Sequence, residues 1–255
     1  MCLITLAWQA HPDHPLILAA NRDEFYARAT APARFWPEAP QLLAGRDLAA
    51  GGTWLGVTRQ GRFAALTNYR EPRPVSGGQS RGLLVSRFLE GRDSPWAHAQ
   101  QVAATGDDYA GFNLLLGTPD ELVVVSNRGT APRRLEPGVH GLSNHLIDTP
   151  WPKVEKAKAG LQANLLAGDV ATEETALLAL LADTQQAPDQ ALPDTGVGLA
   201  MERLLSPLFI RSPLYGTRAS TVLLLGRKRV HFLEQTFEQG EPAERSQFAF
   251  DLQPA

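Results

Sequence analysis

The chain has 255 residues, 24 of them basic and 27 acidic, with 44% hydrophobic and 20% charged content and a net charge of −3. That balance excludes a disordered chain, and without a basic excess to neutralise phosphates nucleic acid is not an expected partner. A lone cysteine, Cys2, cannot close an intramolecular disulfide, so nothing points to an oxidising compartment.

The first twenty residues have no basic start, and His11-Pro12-Asp13-His14-Pro15 breaks their apolar run, so they do not read as a signal peptide. No apolar stretch reaches the roughly 20 residues of a membrane-spanning helix. The expectation is one cytoplasmic domain over residues 1–255, with no membrane span, a small molecule as its partner and an oligomeric state that the sequence does not specify.

In chain order, residues 2–9 are apolar and strand-like, and after a Pro/Asp/His turn residues 15–21 form the second arm of a hairpin. Residues 27–50, rich in Ala, Pro and Arg, are expected to be irregular. Strands are predicted at 53–58 and 62–67, a loop at 72–78, an amphipathic helix at about 80–89 and a second near 95–104. A hairpin follows at 112–116 and 121–126, then a short strand pair within 133–143 turning at Pro137-Gly138.

Helices are predicted at 152 to about 166, capped by Asp148 or Thr149, and at 173–181. Residues 182–198 are loop-like, and an apolar hairpin at 220–225 and 230–237 ends the pattern. Strands joined by tight hairpins imply largely antiparallel sheets in an α+β protein.

Cys2 is the first chemical feature. Removal of Met1 would leave a thiol and a free α-amine on one residue, and an α-amine with a pKa of about 7.7–8.0 can act as base toward its own side chain. A thiol needs such a base, or a lowered pKa, to attack a carbonyl. Position alone also suits a small buried hydrophobe.

The second feature is Asn21-Arg22-Asp23-Glu24, placed by the first hairpin beside Cys2. A guanidinium there favours the thiolate, and a carboxylate would orient the α-ammonium. As an isolated stretch, three charges ending a strand simply enter solvent.

These residues, with Gly52-Thr53-Trp54-Leu55-Gly56, Thr67-Asn68-Tyr69-Arg70, Gly141-Leu142-Ser143-Asn144-His145, Thr149-Pro150-Trp151-Pro152-Lys153 and Tyr215-Gly216-Thr217-Arg218-Ala219-Ser220-Thr221, resemble the NRDE family, which includes the transport and Golgi organisation protein 2 group. The likeness covers almost the whole chain, with its motifs in order. That family in turn resembles N-terminal-nucleophile hydrolases of the choloylglycine hydrolase and penicillin V acylase type.

The resemblance implies a four-layer α/β/β/α sandwich of two mainly antiparallel sheets. It implies Cys2 as nucleophile, Asn68 and Asn144 as contributors to an oxyanion hole, and Arg218 as a supporting cation, since a tetrahedral intermediate needs fixed donors where charge develops. In one register Arg22 and Asp23 poise the N-terminus; in another Asn21 takes the arginine's place and Glu24 supplies the carboxylate. Adjacent strand residues face opposite ways, so both Arg22 and Asp23 reach Cys2 only if the chain turns there.

The expected activity is hydrolysis of a small amide or related acyl substrate, with no metal or cofactor. The alternative is a non-catalytic binding or trafficking protein of the same fold, for the eukaryotic group is associated with secretory-pathway organisation and with handling of haem or acyl lipids. Under it a Cys2 thiolate would be an axial haem ligand, although no Cys-Pro or Cys-x-x-Cys-His cue is present.

Other signals carry less. His11 and His14 are two nitrogens in a solvated turn rather than a metal pair. His145 has no assigned role beyond its place beside Asn144. Gly51-Gly52 lacks the Lys-Ser/Thr of a phosphate loop, and there is no Gly-x-Gly-x-x-Gly helix start and no Gly-x-Ser-x-Gly elbow.

Overall fold

Strands buried on both faces build this molecule, as their unbroken apolar runs require. The structure, a computed structural model, describes residues 2–72, 78–129, 131–165 and 170–254. In one sheet β10 (Gly138–Leu142), β1 (Cys2–Trp8), β2 (Leu16–Phe25), β11 (Tyr215–Leu225), β12 (Arg229–Glu238) and β13 (Glu241–Asp251) lie side by side in that order. The other runs in sequence order from β3 (Thr30–Trp36) through β4 (Ala39–Asp47), β5 (Leu55–Thr58), β6 (Phe63–Asn68), β7 (Phe112–Gly117) and β8 (Leu122–Ser126) to β9 (Arg133–Arg134). Every pairing described is antiparallel.

Three apolar layers fix the order of the elements. Ile4, Leu6, Leu18 and Phe232 of the first sheet meet Val57, Phe63 and Leu115 of the second between the sheets. On the outer face of the second sheet, Ala64, Leu114 and Val123 pack against Leu84, Val85 and Phe88 of α1 (Gly82–Glu90) and Val102 of α2 (Pro95–Ala104). On the outer face of the first, Ile17, Ala19, Val222 and Leu224 pack against Leu161 of α3 (Pro152–Asn164) and Leu177 and Leu181 of α4 (Val170–Leu181). The result is the α/β/β/α sandwich expected of the family. Each fully buried Leu, Ile or Phe in these layers contributes about 1.5–3 kcal/mol.

The Gly52-Thr53-Trp54-Leu55-Gly56 segment is where α1 meets the second sheet. A Cβ on Gly52 would lie 2.5 Å from the Gly82 carbonyl carbon, and one on Gly56 2.8 Å from Ala44 and 2.9 Å from Leu89. Gly52 lets backbone touch backbone and Gly56 leaves room for two apolar side chains, and the Thr53 hydroxyl between them donates to the Leu55 carbonyl at 3.1 Å.

Several local expectations change. Residues 27–50 are not irregular: β3 and β4 pair there, with register shifts on either side of Arg34 and Phe35 that disguise the alternation. The two strands within 133–143 do not pair with each other; β9 extends the second sheet and β10 the first. Helix α3 is preceded by Trp151 with no side-chain cap, because Asp148 adopts a positive φ of 59° and binds His140 instead.

The polar strand β13 and the short α5 (Leu199–Leu204) were not expected. The predicted helix of residues 80–89 begins later, at Gly82, and that of 173–181 begins earlier, at Val170. Most of the loop expected at 72–78, the end of the first long helix at 166 and the fate of Met1 lie outside the described residues.

β2 does not end at Asn21. It runs on to Phe25, so the four polar residues keep strand alternation and no turn occurs at Arg22. Asn21 therefore faces the helices, where its Nδ2 donates to the carbonyls of Leu181 (2.9 Å) and Leu208 (2.8 Å) and its Oδ1 accepts from the Ser220 hydroxyl (2.6 Å). Substituting Asn21→Ala strands two buried carbonyls and a hydroxyl, and urea unfolding should register a loss of about 3 kcal/mol. A loss below about 1 kcal/mol would mean that water reaches these groups and that the bonds are not structural.

Candidate active site

Where the apolar layer between the sheets gives out, at the Cys2 end of β1, a cavity of about 620 Å³ opens. Cys2 stands in its wall, 7% exposed, and is paired across the strands with Arg22. Both continue the series Ile4, Leu6 and Leu18, Ala20 that faces the second sheet. The residues of the two sheets thus frame the cavity from either side, Arg22, Arg218 and Glu234 from the first and Trp54, Leu66 and Asn68 from the second.

Of the residues singled out in the sequence, Cys2, Arg22, Asp23, Asn68 and Arg218 line this cavity. Asn144 does not appear in the wall. It is fully buried behind it, where its Nδ2 donates to the Asn68 carbonyl at 2.9 Å and its own carbonyl accepts from the Arg70 N–H at 2.7 Å. The neighbouring Ser143 hydroxyl donates to the Cys2 carbonyl at 3.1 Å. Ser143-Asn144 consequently ties the start of β1 to the end of β6, fixing Cys2 relative to Asn68.

Asp23 alternates to the helix-facing side, yet its backbone N–H donates to the Cys2 sulfur. Its carboxylate is 1% exposed and accepts from the Thr217 hydroxyl at 2.8 Å, and that hydroxyl in turn accepts from the Ile210 N–H at 2.9 Å. The register between β2 and β11 shifts between Thr217 and Ala219, leaving Arg218 as the extra residue of a bulge. Its guanidinium is thereby turned onto the carbonyls of Phe25, Tyr26 and Arg28, at 3.1–3.2 Å, and holds the chain that leaves β2 at the cavity rim.

Burial dominates the electrostatics. It pushes the Cys2 thiol up, assisted by the Asp23 carboxylate, against the smaller pull of the N-terminal ammonium, Arg22 and the Asp23 N–H. The same desolvation pushes Asp23 up, with Lys153 and the Thr217 hydrogen bond acting in the other direction. Cys2 thus rests as a thiol and gains nucleophilic character only when a base removes its proton.

Sequence reasoning passed over four buried charges. Lys153, in the quoted Trp151-Pro152-Lys153 run, is 3% exposed, and burial lowers it to about 8. Arg70, directly after Asn68-Tyr69, forms a buried ion pair with Glu202 at 2.5 Å and stacks 4.6 Å from the Trp151 ring centre. Glu234 on the cavity wall accepts from the Ala33 N–H at 2.7 Å. A glutamate in step with Phe232 on an apolar strand was the available signal for the last. His145 is held between Tyr69 and Trp151 with its Nδ1 2.9 Å from the Thr149 hydroxyl, a structural setting.

Haem fits this cavity poorly. Among the described lining residues there is no histidine, methionine or tyrosine, so a haem iron would depend on Cys2, which burial keeps as a thiol. No group of three or more metal-ligating side chains occurs among the described residues, and none of their helices is long and apolar enough to cross a membrane.

With this geometry in place, comparison with known proteins is specific. The family model for Transport and Golgi organisation 2 matches residues 1–239. The chain is 36% identical over 277 residues to the Transport and Golgi organization 2 homolog of Mus musculus, covering 99% of this chain and all of that one. It is 37% identical over 246 residues to the homologous protein of Homo sapiens, with 88% of each covered. The chain belongs to the Transport and Golgi organisation 2 family. Among solved structures, a Caenorhabditis elegans N-acylethanolamine-hydrolyzing acid amidase ortholog is similar with a TM-score of 0.49 at 12% identity, covering 88% of this chain and 92% of that one.

Glu234 offers a direct check on the electrostatics. Burial raises its carboxyl from 4.5 to about 7. The folded state then holds a proton that the unfolded chain has released, so the group's contribution is complete below about pH 4.5 and is lost as the pH rises through 7. Glu234→Gln, which keeps an acceptor for Ala33, should be more stable than the parent at pH 8 by on the order of 3 kcal/mol and equal to it near pH 4 in urea titrations. Equal stability at both pH values would mean that water solvates the carboxylate.

Proposed function

We propose that this protein is a cysteine N-terminal-nucleophile hydrolase that cleaves the C–N bond of a small amide. The observation that carries the reading is the Cys2 thiol, buried in the wall of a large polar cavity, opposite Arg22 and under the Asp23 N–H. A cavity of about 620 Å³ suits a small acyl substrate. We take residues 1–255 as one domain acting in the cytosol.

In the mature chain, freed of Met1, the α-amine of Cys2 takes the thiol proton as sulfur attacks the amide carbon. Negative charge develops on the carbonyl oxygen, which Asn68 stabilises from the cavity wall while Asn144 holds Asn68 in place. The ammonium then returns its proton to the departing nitrogen, the C–N bond breaks, and an acyl thioester remains on Cys2. A water molecule, deprotonated by the same amine, attacks the thioester, releasing a carboxylic acid and restoring the thiol. Arg22 stabilises charge on sulfur during attack, Asp23 orients the amine, and Arg218 keeps the cavity rim in shape.

The raised thiol supports this scheme over a standing thiolate, because the base and the nucleophile are then separate groups on one residue. Incubation with a panel of short N-acyl amides, followed by intact-mass analysis, tests it. The expected result is a chain lacking Met1, an acyl adduct on Cys2, and a fall in turnover of at least about 100-fold in Cys2→Ser. Active material that retains Met1 would overturn the mechanism, since the base would be tied up in a peptide bond. Ligand binding that is equal in the parent and Cys2→Ala, with no turnover in either, would instead make the cavity a carrier site.

A further inference from the structure

Behind Cys2, on the helix-facing side of the first sheet, lies a cluster of buried charges that the hydrolytic scheme leaves unexplained. It contains Asp23 from β2, Lys153 from the first turn of α3, Arg70 from the segment after β6 and Glu202 from α5, each buried. Arg70 and Glu202 are paired with each other, and the Thr195 N–H also donates to Glu202 at 3.0 Å. Lys153 differs: its ammonium is buried and has no hydrogen-bond partner among the described residues. The void beside it is about 10 Å³, room for one water at most, so no bulk counter-ion shields it.

A buried ammonium left without a partner is costly unless its field serves something nearby. The groups that feel Lys153 are Arg70, Asp23, Cys2 and Glu202, and Asp23 also feels Arg22 from the other face of β2 and Tyr215 of β11. Since Arg70 and Glu202 neutralise one another, Lys153 is the cation of this cluster that acts on Asp23, more strongly than Arg22 does from the cavity face. We propose that Lys153 is a positioning residue whose buried charge competes with the mature α-ammonium of Cys2 for Asp23 and so keeps that amine in its neutral, proton-accepting form.

The inference rests on the hydrolase reading and extends it. With Lys153 charged, the cluster holds two cations and two anions, and protonating the α-amine would add a third cation to a poorly solvated site. With Lys153 neutral, Asp23 is left to the ammonium and stabilises it. Asp23 can then orient the amine without locking it in the protonated state. The effect belongs to pH values below about 8, where Lys153 keeps its charge.

The chain's single cysteine makes the test direct, because [13Cα]cysteine labels Cys2 alone. The Cα shift followed against pH reads the α-amine titration in the processed protein. Lys153→Met should raise that titration by about one to three units, the range expected for removing one charge from medium to close range in an effective dielectric of about 20. Lys153→Arg should restore it, and the acidic limb of kcat/KM should move in step. In the unsubstituted protein the Cα curve should carry a second inflection near pH 8, where Lys153 titrates, which requires no variant to fold.

An amine that titrates identically in the parent, Lys153→Met and Lys153→Arg overturns the inference and leaves the hydrolase reading standing. So does a parent curve with no second inflection. A processed chain that shows the shift but hydrolyses no amide overturns the reading while keeping the electrostatic coupling. Retention of Met1 overturns both.

Discussion

The pairing of Cys2 with Arg22 is the constraint on which the site depends. Because β1 and β2 stay in register from Trp8–Leu16 to Cys2–Arg22, and β2 then continues without a turn, the polar tetrad is divided by alternation. Arg22 and Glu24 look into the cavity, whereas Asn21 and Asp23 look toward the helices. Two consecutive residues thus reach Cys2 by different routes, Arg22 through its side chain on the cavity face and Asp23 through its backbone N–H at the sulfur. A shift of one residue in this pairing would exchange the two sets and bury Arg22 among the helices.

The polar groups gathered here are expensive, and the fold offsets several of them. Asn21 is satisfied by two carbonyls and a hydroxyl, one Asp23 oxygen accepts from the Ile210–Thr217 relay, and one Arg70 nitrogen pairs with Glu202. Buried ion pairs add little net stability, since desolvation consumes most of the Coulombic gain. Stability therefore resides in the three apolar layers, and the polar end of the sandwich sets the alignment of β1, β2, β6 and β10. Ser143 and Asn144 illustrate the division: they bury no apolar area of consequence, yet they fix Cys2 against Asn68 across two sheets.

Much of this was readable in the sequence where local chemistry and burial agree. The first hairpin followed from two apolar runs around a Pro-rich turn, and α2 was placed near 95–104, where Ser94 caps the helix by accepting from the Ala97 N–H. Cys2, Arg22, Asp23, Asn68 and Arg218 were singled out and do line one cavity. What escaped was set by tertiary context. β3 and β4 hide behind prolines and register shifts, and β13 is too polar to show an apolar alternation. The buried places of Lys153 and Glu202 depend on how α3 and α5 pack, which no local pattern encodes. Asn144 sits in a motif that resembles the family's, but the motif could not say that its amide donates to the Asn68 carbonyl.

The same burial that hides these charges determines how the site can react. Desolvation raises Cys2, Asp23 and Glu234 together, and at Asp23 it is opposed by Lys153 and the Thr217 hydrogen bond. A cavity so arranged resists holding a thiolate at rest, and its arginines do not reverse this: Arg218 is engaged with three carbonyls, and the pull of Arg22 on the sulfur is outweighed by burial. Under the proposed hydrolysis, charge on sulfur would arise transiently, by proton transfer to the α-amine, and the helix-facing cluster holds the buried cation that we propose keeps that amine unprotonated. Reactivity and fold meet at Asp23, whose backbone touches the sulfur from one side of the sheet while its carboxylate belongs to the charge balance on the other.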